Sequence, residues 1–257
     1  MIINNNISAI NTRNQLFVTN TAAGKSMEKL SSGKRINRAA DDAAGLSISE
    51  KMRAQIRGLN QAARNAQDGI SLIQTAEGAL DEVSNMLVRL KELAVQKANG
   101  TYNDKDKANL ALEMDSLTKE IQNIFTNTKF NGSSVLTTSV TIIISDDGTT
   151  ALTIEATSTD GITSLTSGSS VSSIETAIKN VNQARATYGA KQNRLESTVR
   201  NLKTTAENLQ AAESRIRDTD MAEEMSSFTK YSILIQAGTA MLAQANMAPQ
   251  NVLSLLR

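Results

Sequence analysis

The chain of 257 residues contains no cysteine, no histidine and no tryptophan, and a single proline. Each absence removes a class of chemistry. Without His or Cys there is no zinc, haem or iron–sulfur site of the usual ligand types, no thiolate nucleophile and no imidazole base. No disulfide can staple the fold, and cysteine usage is silent about the redox compartment. Aromatic residues make up only 3%, too few for a thick core built on large rings. Neither sign of charge is in excess: 27 Lys and Arg stand against 26 Asp and Glu. The basic imbalance expected of a nucleic-acid or acidic-lipid binder is therefore lacking. The expectation is a protein that is not an enzyme and carries no metal and no cofactor.

Two further absences concern location. The opening residues MIINNNISAINTRNQL lack the basic segment, unbroken apolar stretch and small-residue cleavage site of a secretory signal, so standard signal-peptide export is not expected. Tyr231 to Leu256 carries no charged side chain, and that length invites comparison with a membrane span. Gln236, Gln244, Asn246, Pro249, Gln250 and Asn251 argue against one, because hydrocarbon cannot satisfy their polar groups. Some other surface must cover this segment.

What the chain does have is Ala, Leu, Ile and Met together with Gln, Glu, Lys and Arg, all good helix formers, and no proline before Pro249. Apolar residues recur every seven positions at Ile174, Val181, Tyr188, Leu195, Leu202, Leu209 and Ile216, which holds one seam toward a partner helix. The companion seam fits at Ile178, Val199 and Ala206 but fails at Arg185, Gln192 and Glu213, so a helix bundle fits better than a two-stranded zipper. Met52, Leu59, Ala66, Ile73, Leu80, Leu87 and Ala94 repeat the spacing in the first half. Their second seam passes from Ile56, Ala63 and Ile70 to Ala76, Val83 and Leu90, as when neighbours change along a bundle. A third helix, 104–125, follows the break at Gly100-Thr101-Tyr102-Asn103 and lies antiparallel to the first. The fold class is mainly α: a long antiparallel bundle or coiled-coil rod.

Between the helical regions, 133–173 is rich in Ser and Thr. Val140–Ser145 and Thr150–Glu155 flank Asp146-Asp147-Gly148-Thr149, which reads as a small β-hairpin. Residues 156–173 lose periodicity and read as a polar, exposed tip. At the chain ends, Ile3, Ile7, Ile10 and Phe17 fall at helical spacing in a segment whose only charge up to Gly24 is Arg13. Met221, Phe228, Ile235 and Leu242 do the same at the other end. Neither segment is a stable lone helix, and both lack the charge that keeps a monomer's surface soluble, so other copies of the chain are the expected partners.

Two short motifs have bland explanations. Gly24-Lys25-Ser26 resembles the end of a phosphate-binding loop, but position 19 is Thr and no strand precedes it. Asp41-Asp42 fits a helix cap before Ala43 better than a divalent-ion site.

Leu30-Ser-Ser-Gly-Lys-Arg-Ile-Asn-Arg-Ala-Ala-Asp-Asp-Ala-Ala-Gly45, Asn65-Ala-Gln-Asp-Gly-Ile-Ser-Leu-Ile-Gln-Thr-Ala-Glu-Gly-Ala-Leu80 and Ala245-Asn-Met-Ala-Pro-Gln-Asn-Val-Leu-Ser-Leu-Leu-Arg257 together resemble bacterial flagellin. Lys129-Phe-Asn-Gly132 and Ala211-Ala-Glu-Ser-Arg-Ile-Arg-Asp218 add to the match. The resemblance implies a minimal, non-enzymatic flagellar filament subunit without large outer domains. Residues 1–40 with 220–257 would be paired terminal helices of an inner tube, 41–130 with 174–219 a helical rod, and 131–173 the hairpin and variable tip. It implies polymerisation residues Ile3, Ile7, Ile10, Phe17, Met221, Phe228, Ile235, Leu242, Leu253 and Leu256, an extracellular location, type III export, an export chaperone on the C-terminal helices, and cap and hook-junction proteins as partners. It also implies contact with Toll-like receptor 5 through Arg89, Leu93 and Gln96, supported by Glu113, and recognition of Leu253, Leu255 and Leu256 by cytosolic inflammasome sensors. The metallopeptidase carried by some flagellins needs a His-Glu-x-x-His helix, which a chain without His cannot supply. The alternatives are the related hook–filament junction protein and, in another class, a soluble helical adaptor or chaperone.

Overall fold

The computed structural model describes residues 5–157 and 161–255, with side chains through residue 247. The described residues form helices α1 (Ile7–Ser32), α2 (Ala43–Ala98), α3 (Asp104–Asn127), α4 (Val171–Arg217) and α5 (Met221–Leu255). The strands are β1 (Lys129–Phe130), β2 (Ser133–Ser134), β3 (Val140–Ile143) and β4 (Ala151–Ile154). The chain is mainly α, as the heptads require. It divides into two compact units, one of 1–54 with 209–257 and one of 55–208, and α2 and α4 each contribute to both. Residues 41–54 and 209–219 belong to the same unit as the terminal helices.

In the terminal unit, α1 and α5 pair antiparallel. Asn6 Nδ2 donates to the Ala245 carbonyl at 2.7 Å, Leu16 lies against Gly238, and Lys29 faces Glu224 at 3.6 Å. Asn6 also caps α1 by accepting from Ala9 N at 3.1 Å, satisfying one of the first-turn amides that lack helical partners. Gly33, at φ 68°, ends the helix in the left-handed conformation that glycine adopts freely. Beyond it, the 33–42 connection is stitched to the end of α4. Arg35 N donates to the Arg217 carbonyl at 2.7 Å, Arg35 Nη2 to the Ile216 carbonyl at 2.6 Å, and Thr219 N to the Gly33 carbonyl at 3.1 Å. The buried Arg217 donates through Nη1 to Glu50 of α2. Asp42 Oδ1 accepts from Gly45 N at 2.8 Å, the capping role expected for the acidic pair. Gly24-Lys25-Ser26 lies inside α1, so its amides are committed to the helix and no phosphate loop exists.

The 55–208 unit holds the larger core. Ile73, Leu80, Val83, Leu87 and Leu90 of α2 meet Met114, Ile121 and Phe125 of α3 and Ile174, Val181, Tyr188 and Leu195 of α4. All of these are almost completely removed from water. Two of the three failures in the second α4 seam have polar partners: Arg185 reaches Asp81 of α2 at 2.9 Å and Gln192 donates to Glu196 at 3.1 Å. Lys91 and Glu175 add a second α2–α4 ion pair at 2.9 Å.

The hairpin forms where expected, with Val140 opposite Ile154 and Ile143 opposite Ala151. It lies on α2. A Cβ at Gly58 would sit 3.1 Å from Asp146 Cα, and Asn65 Nδ2 donates to the Ile143 carbonyl at 3.3 Å. On the α4 side, the Tyr188 hydroxyl is 2.9 Å from Thr157 Oγ1, and Lys191 Nζ donates to the Thr153 carbonyl at 2.9 Å. The segment expected to be a polar exposed tip differs from that reading. Ile162 and Leu165 are buried in the core, Lys97 Nζ binds the Ser167 carbonyl at 2.9 Å, and Gln122 Nε2 binds the Thr163 carbonyl at 2.8 Å. Two apolar residues in a polar run suffice to anchor the loop.

Candidate functional site

The α1–α5 pair has a seam of unusual composition. On α1 the inward positions are Ala9, Thr12, Leu16, Thr19, Ala23, Ser26 and Leu30, spaced three and four apart. Only Leu16 and Leu30 are large and apolar. The hydroxyls turn back on the helix: Thr19 Oγ1 donates to the Gln15 carbonyl at 2.9 Å and Thr12 Oγ1 to the Ser8 carbonyl at 2.8 Å. The large apolar residues of α1 point the other way. Ile7, Ile10, Phe17 and Val18 are exposed, Phe17 by 72%. At about 100° per residue they cluster on the side of α1 opposite the α5 seam.

On α5 the half-buried seam runs through Glu224, Phe228, Tyr231, Ile235, Gly238, Leu242 and Ala245. Met221, Met225, Ile233, Leu234, Met241 and Met247 are exposed around the rest of the helix. Large apolar side chains thus reach solvent in several directions around α5, and the described residues of the terminal unit give it one long helical neighbour, α1. Where Gly238 leaves room, a groove of about 480 Å³ opens between Gln15, Leu16 and Thr19 on one wall and Leu234, Ala237 and Met241 on the other.

The expected assembly residues therefore sort into two sets. Phe228, Ile235 and Leu242 hold α5 to α1, whereas Ile7, Ile10, Phe17 and Met221 face outward. Ile3, Leu256 and the side chain of Leu253 lie outside the described residues, as do the side chains of Leu255 and Leu256 of the inflammasome-sensor group. Sequence spacing missed Val18, Ile233 and Leu234 because each lies directly beside another outward position, outside any single seven-residue repeat. Their low charge context was the available signal.

The second set of expected residues lies in the 55–208 unit. Arg89 on α2 grips Glu113 on α3 through Nε at 3.1 Å and Nη2 at 2.9 Å, and holds Glu92 through Nη1 at 3.1 Å. Glu113 and then Glu92 raise the guanidinium further above its ordinary range. Gln96 Nε2 donates to the Tyr102 hydroxyl at 3.0 Å. Leu93 is different: it is fully buried in the core. The apolar residues beside this cluster that reach solvent are Val88 and Val95, which with Lys91, Glu92 and Gln96 line a groove of about 430 Å³.

Asp147 in the β3–β4 turn has its carboxyl lowered to about 2 by hydrogen bonds from Ser145 Oγ and from the Thr149 amide and hydroxyl. That is the self-capping of a turn residue. Among the described residues no group of acidic side chains is placed to hold a metal ion, and no helix is long and apolar enough to cross a membrane.

Residues 3–141 match the bacterial flagellin N-terminal helical region and residues 171–256 the bacterial flagellin C-terminal helical region. The chain is 51% identical over 272 aligned residues to a flagellin of Halalkalibacterium halodurans and 48% identical over 306 to one of Bacillus subtilis. It is 46% identical over 286 residues to the flagellar filament 31.3 kDa core protein of Treponema maltophilum. Each alignment covers 100% of both chains. With both helical regions matched in order and the intervening strands in place, the chain belongs to the bacterial flagellin family.

Proposed function

We propose that the chain is a structural subunit that polymerises through its terminal helix pair into the extracellular filament of the bacterial flagellum, and so serves motility. One observation carries this beyond family membership: the outward stripe of Ile7, Ile10, Phe17 and Val18 on α1 faces away from α5, and α5 exposes Met221, Met225, Ile233, Leu234, Met241 and Met247 away from α1. Surfaces of that kind are covered by partners, and copies joined head to tail give an open helical polymer. The role is mechanical, without catalysis.

In the filament, residues 1–40 with 220–257 make the inner layer, 41–130 with 174–219 the surrounding helices, and 131–173 the outward part. Before assembly an export chaperone covers the C-terminal helix and the flagellar export apparatus passes the chain. Cap and hook-junction proteins meet it at the two ends of the filament. In free monomer, Arg89 and Glu113 offer a polar contact to Toll-like receptor 5, with Val88 and Val95 beside them and Leu93 as the packing beneath.

Purified monomer concentrated with and without short filament seeds, then examined by sedimentation and electron microscopy, tests the main reading. Long filaments from the full chain, and none after removal of residues 231–257, are expected. A soluble monomer at every concentration points to the adaptor reading, and a short closed ring points to the junction protein. For the receptor reading, Arg89→Ala monomer should lose potency in a receptor-reporter cell assay, and unchanged potency would remove Arg89 from the contact.

A further inference from the structure

The structure sorts the methionines. Met114 is buried in the α2–α3–α4 core, and Met86 packs half-buried against the same core. Met52 is half-buried on α2. Met221, Met225, Met241 and Met247 of α5, by contrast, are each about half exposed or more, and Met27 of α1 is exposed as well. Since the chain has no cysteine, these thioethers are, among the described residues, the oxidisable sulfur that an aqueous oxidant meets first. Among the described residues, the four α5 methionines are four of the six large apolar side chains exposed on that helix.

We propose that the α5 methionines form an oxidation-sensitive gate on assembly: sulfoxide formation at Met221, Met225, Met241 and Met247 in the free subunit blocks its addition to a filament, and burial in the filament protects them. The proposal rests on the polymerisation reading above. The oxidant is of the peroxide class. A sulfur lone pair attacks one peroxide oxygen, the O–O bond breaks as an S–O bond forms, the sulfide rises to sulfoxide, and hydrogen peroxide is reduced to water. The product is a polar, hydrogen-bond-accepting group on a flexible stem where a partner subunit needs an apolar one. Buried without a donor, each sulfoxide carries a desolvation penalty that the thioether did not. The helix itself is little disturbed, because Met221, Met225 and Met247 lie outside the α1 seam and Met241, 62% exposed, only lines the rim of its groove. The chain cannot reverse the step itself, since it holds no thiol, and recovery requires a sulfoxide reductase.

The test treats wild-type monomer, preformed filaments and the Met221→Leu, Met225→Leu, Met241→Leu, Met247→Leu variant with hydrogen peroxide. Oxidised positions are then mapped by peptide mass spectrometry, helicity is checked by circular dichroism, and seeded assembly is measured. Leu keeps the apolar volume, and the variant retains Met27, so an effect confined to wild type is assigned to α5. Expected are sulfoxide at the four α5 positions of monomer and little in filaments. The concentration of monomer left beside filaments should rise about tenfold or more in oxidised wild type, with no change in the oxidised variant. Oxidised wild type that assembles like untreated protein overturns the gate, and so does equal inhibition of the Leu variant. Should the variant fail to assemble before treatment, the wild-type monomer and filament maps decide alone: equal oxidation in both overturns the protection, and unequal oxidation with inhibited monomer supports it. Failure of untreated wild type to polymerise defeats the filament reading itself, which separates the two claims.

Discussion

Replacing Phe17 by Ala separates the stability of the subunit from the stability of the polymer. Full burial of a Phe side chain stabilises by about 1.5–3 kcal/mol. Phe17 is 72% exposed in the single chain, so roughly 1–2 kcal/mol of that burial is left for a neighbouring subunit to supply. At about 1.4 kcal/mol per tenfold change in equilibrium constant, the monomer concentration in equilibrium with filaments should rise by about 5- to 30-fold. The subunit should hardly notice. Phe17 leaves the α1–α5 seam untouched, and Ala favours helix more than Phe does, so unfolding of the monomer should shift by less than about 1 kcal/mol. The assay is the protein left in the supernatant after filaments grown from seeds are pelleted, with circular dichroism on the same monomer. An unchanged supernatant concentration at unchanged helicity would show that Phe17 is not covered on assembly, and the outward stripe would lose its meaning.

Other substitutions probe the remaining parts. Leu195→Ala, at a fully buried position beside Ile142, should lower the stability of the 55–208 unit by about 2–5 kcal/mol in thermal or denaturant unfolding. Gly58→Ala sets a helix-propensity gain of up to about 1 kcal/mol against the approach of Asp146 Cα to 3.1 Å. Overpacking of about 1–3 kcal/mol is the larger effect, so a small net loss of stability and loosened hydrogen-exchange protection in β3 and β4 are expected. Glu50 is held below its ordinary range chiefly by the hydrogen bond from Arg217, with Arg53 adding to it. Because the folded carboxyl titrates lower than the unfolded one, its stabilisation is present above the ordinary carboxylate range and is lost as the pH falls through the folded value. Acid titration of the monomer should therefore show a pH-dependent loosening of the terminal unit that Glu50→Gln flattens, and identical acid profiles would rule the contact out.

The heptads exposed most of the fold because a seam that must face a neighbour for many turns leaves a periodic record. Ile73, Leu80 and Leu87, and Ile174, Val181 and Leu195, are all buried, and the shift from Ile70 to Ala76 in the second seam marks where the buried face of α2 turns. The β1–β2 turn was harder to see. Asn131 at φ 49° and Gly132 at φ 83° form a two-residue hairpin turn, and Asn-Gly is its strongest short signal, but two-residue arms carry no alternation. The terminal helices were legible only in part. Spacing put Phe228, Ile235 and Leu242 in one class with Ile7, Ile10 and Phe17, although three hold the subunit together and three face out. A single chain's periodicity cannot distinguish a residue that packs on its own fold from one that awaits a second copy, since both are apolar for the same reason. Leu93 shows the converse: a residue named for contact is one that the bundle already encloses.

The sparse seam of α1 has a kinetic corollary. Thr12, Thr19, Ala23 and Ser26 let the two terminal helices lie close while adding little apolar area, so their pairing gains little until outside surfaces arrive. Two free subunits that collide present each other with only part of the surroundings each requires, and that first encounter is unfavourable. A subunit reaching a growing end finds several surfaces at once. Assembly should therefore begin with a lag that added filament seeds remove, and a light-scattering trace that rises without a lag in unseeded monomer would contradict it.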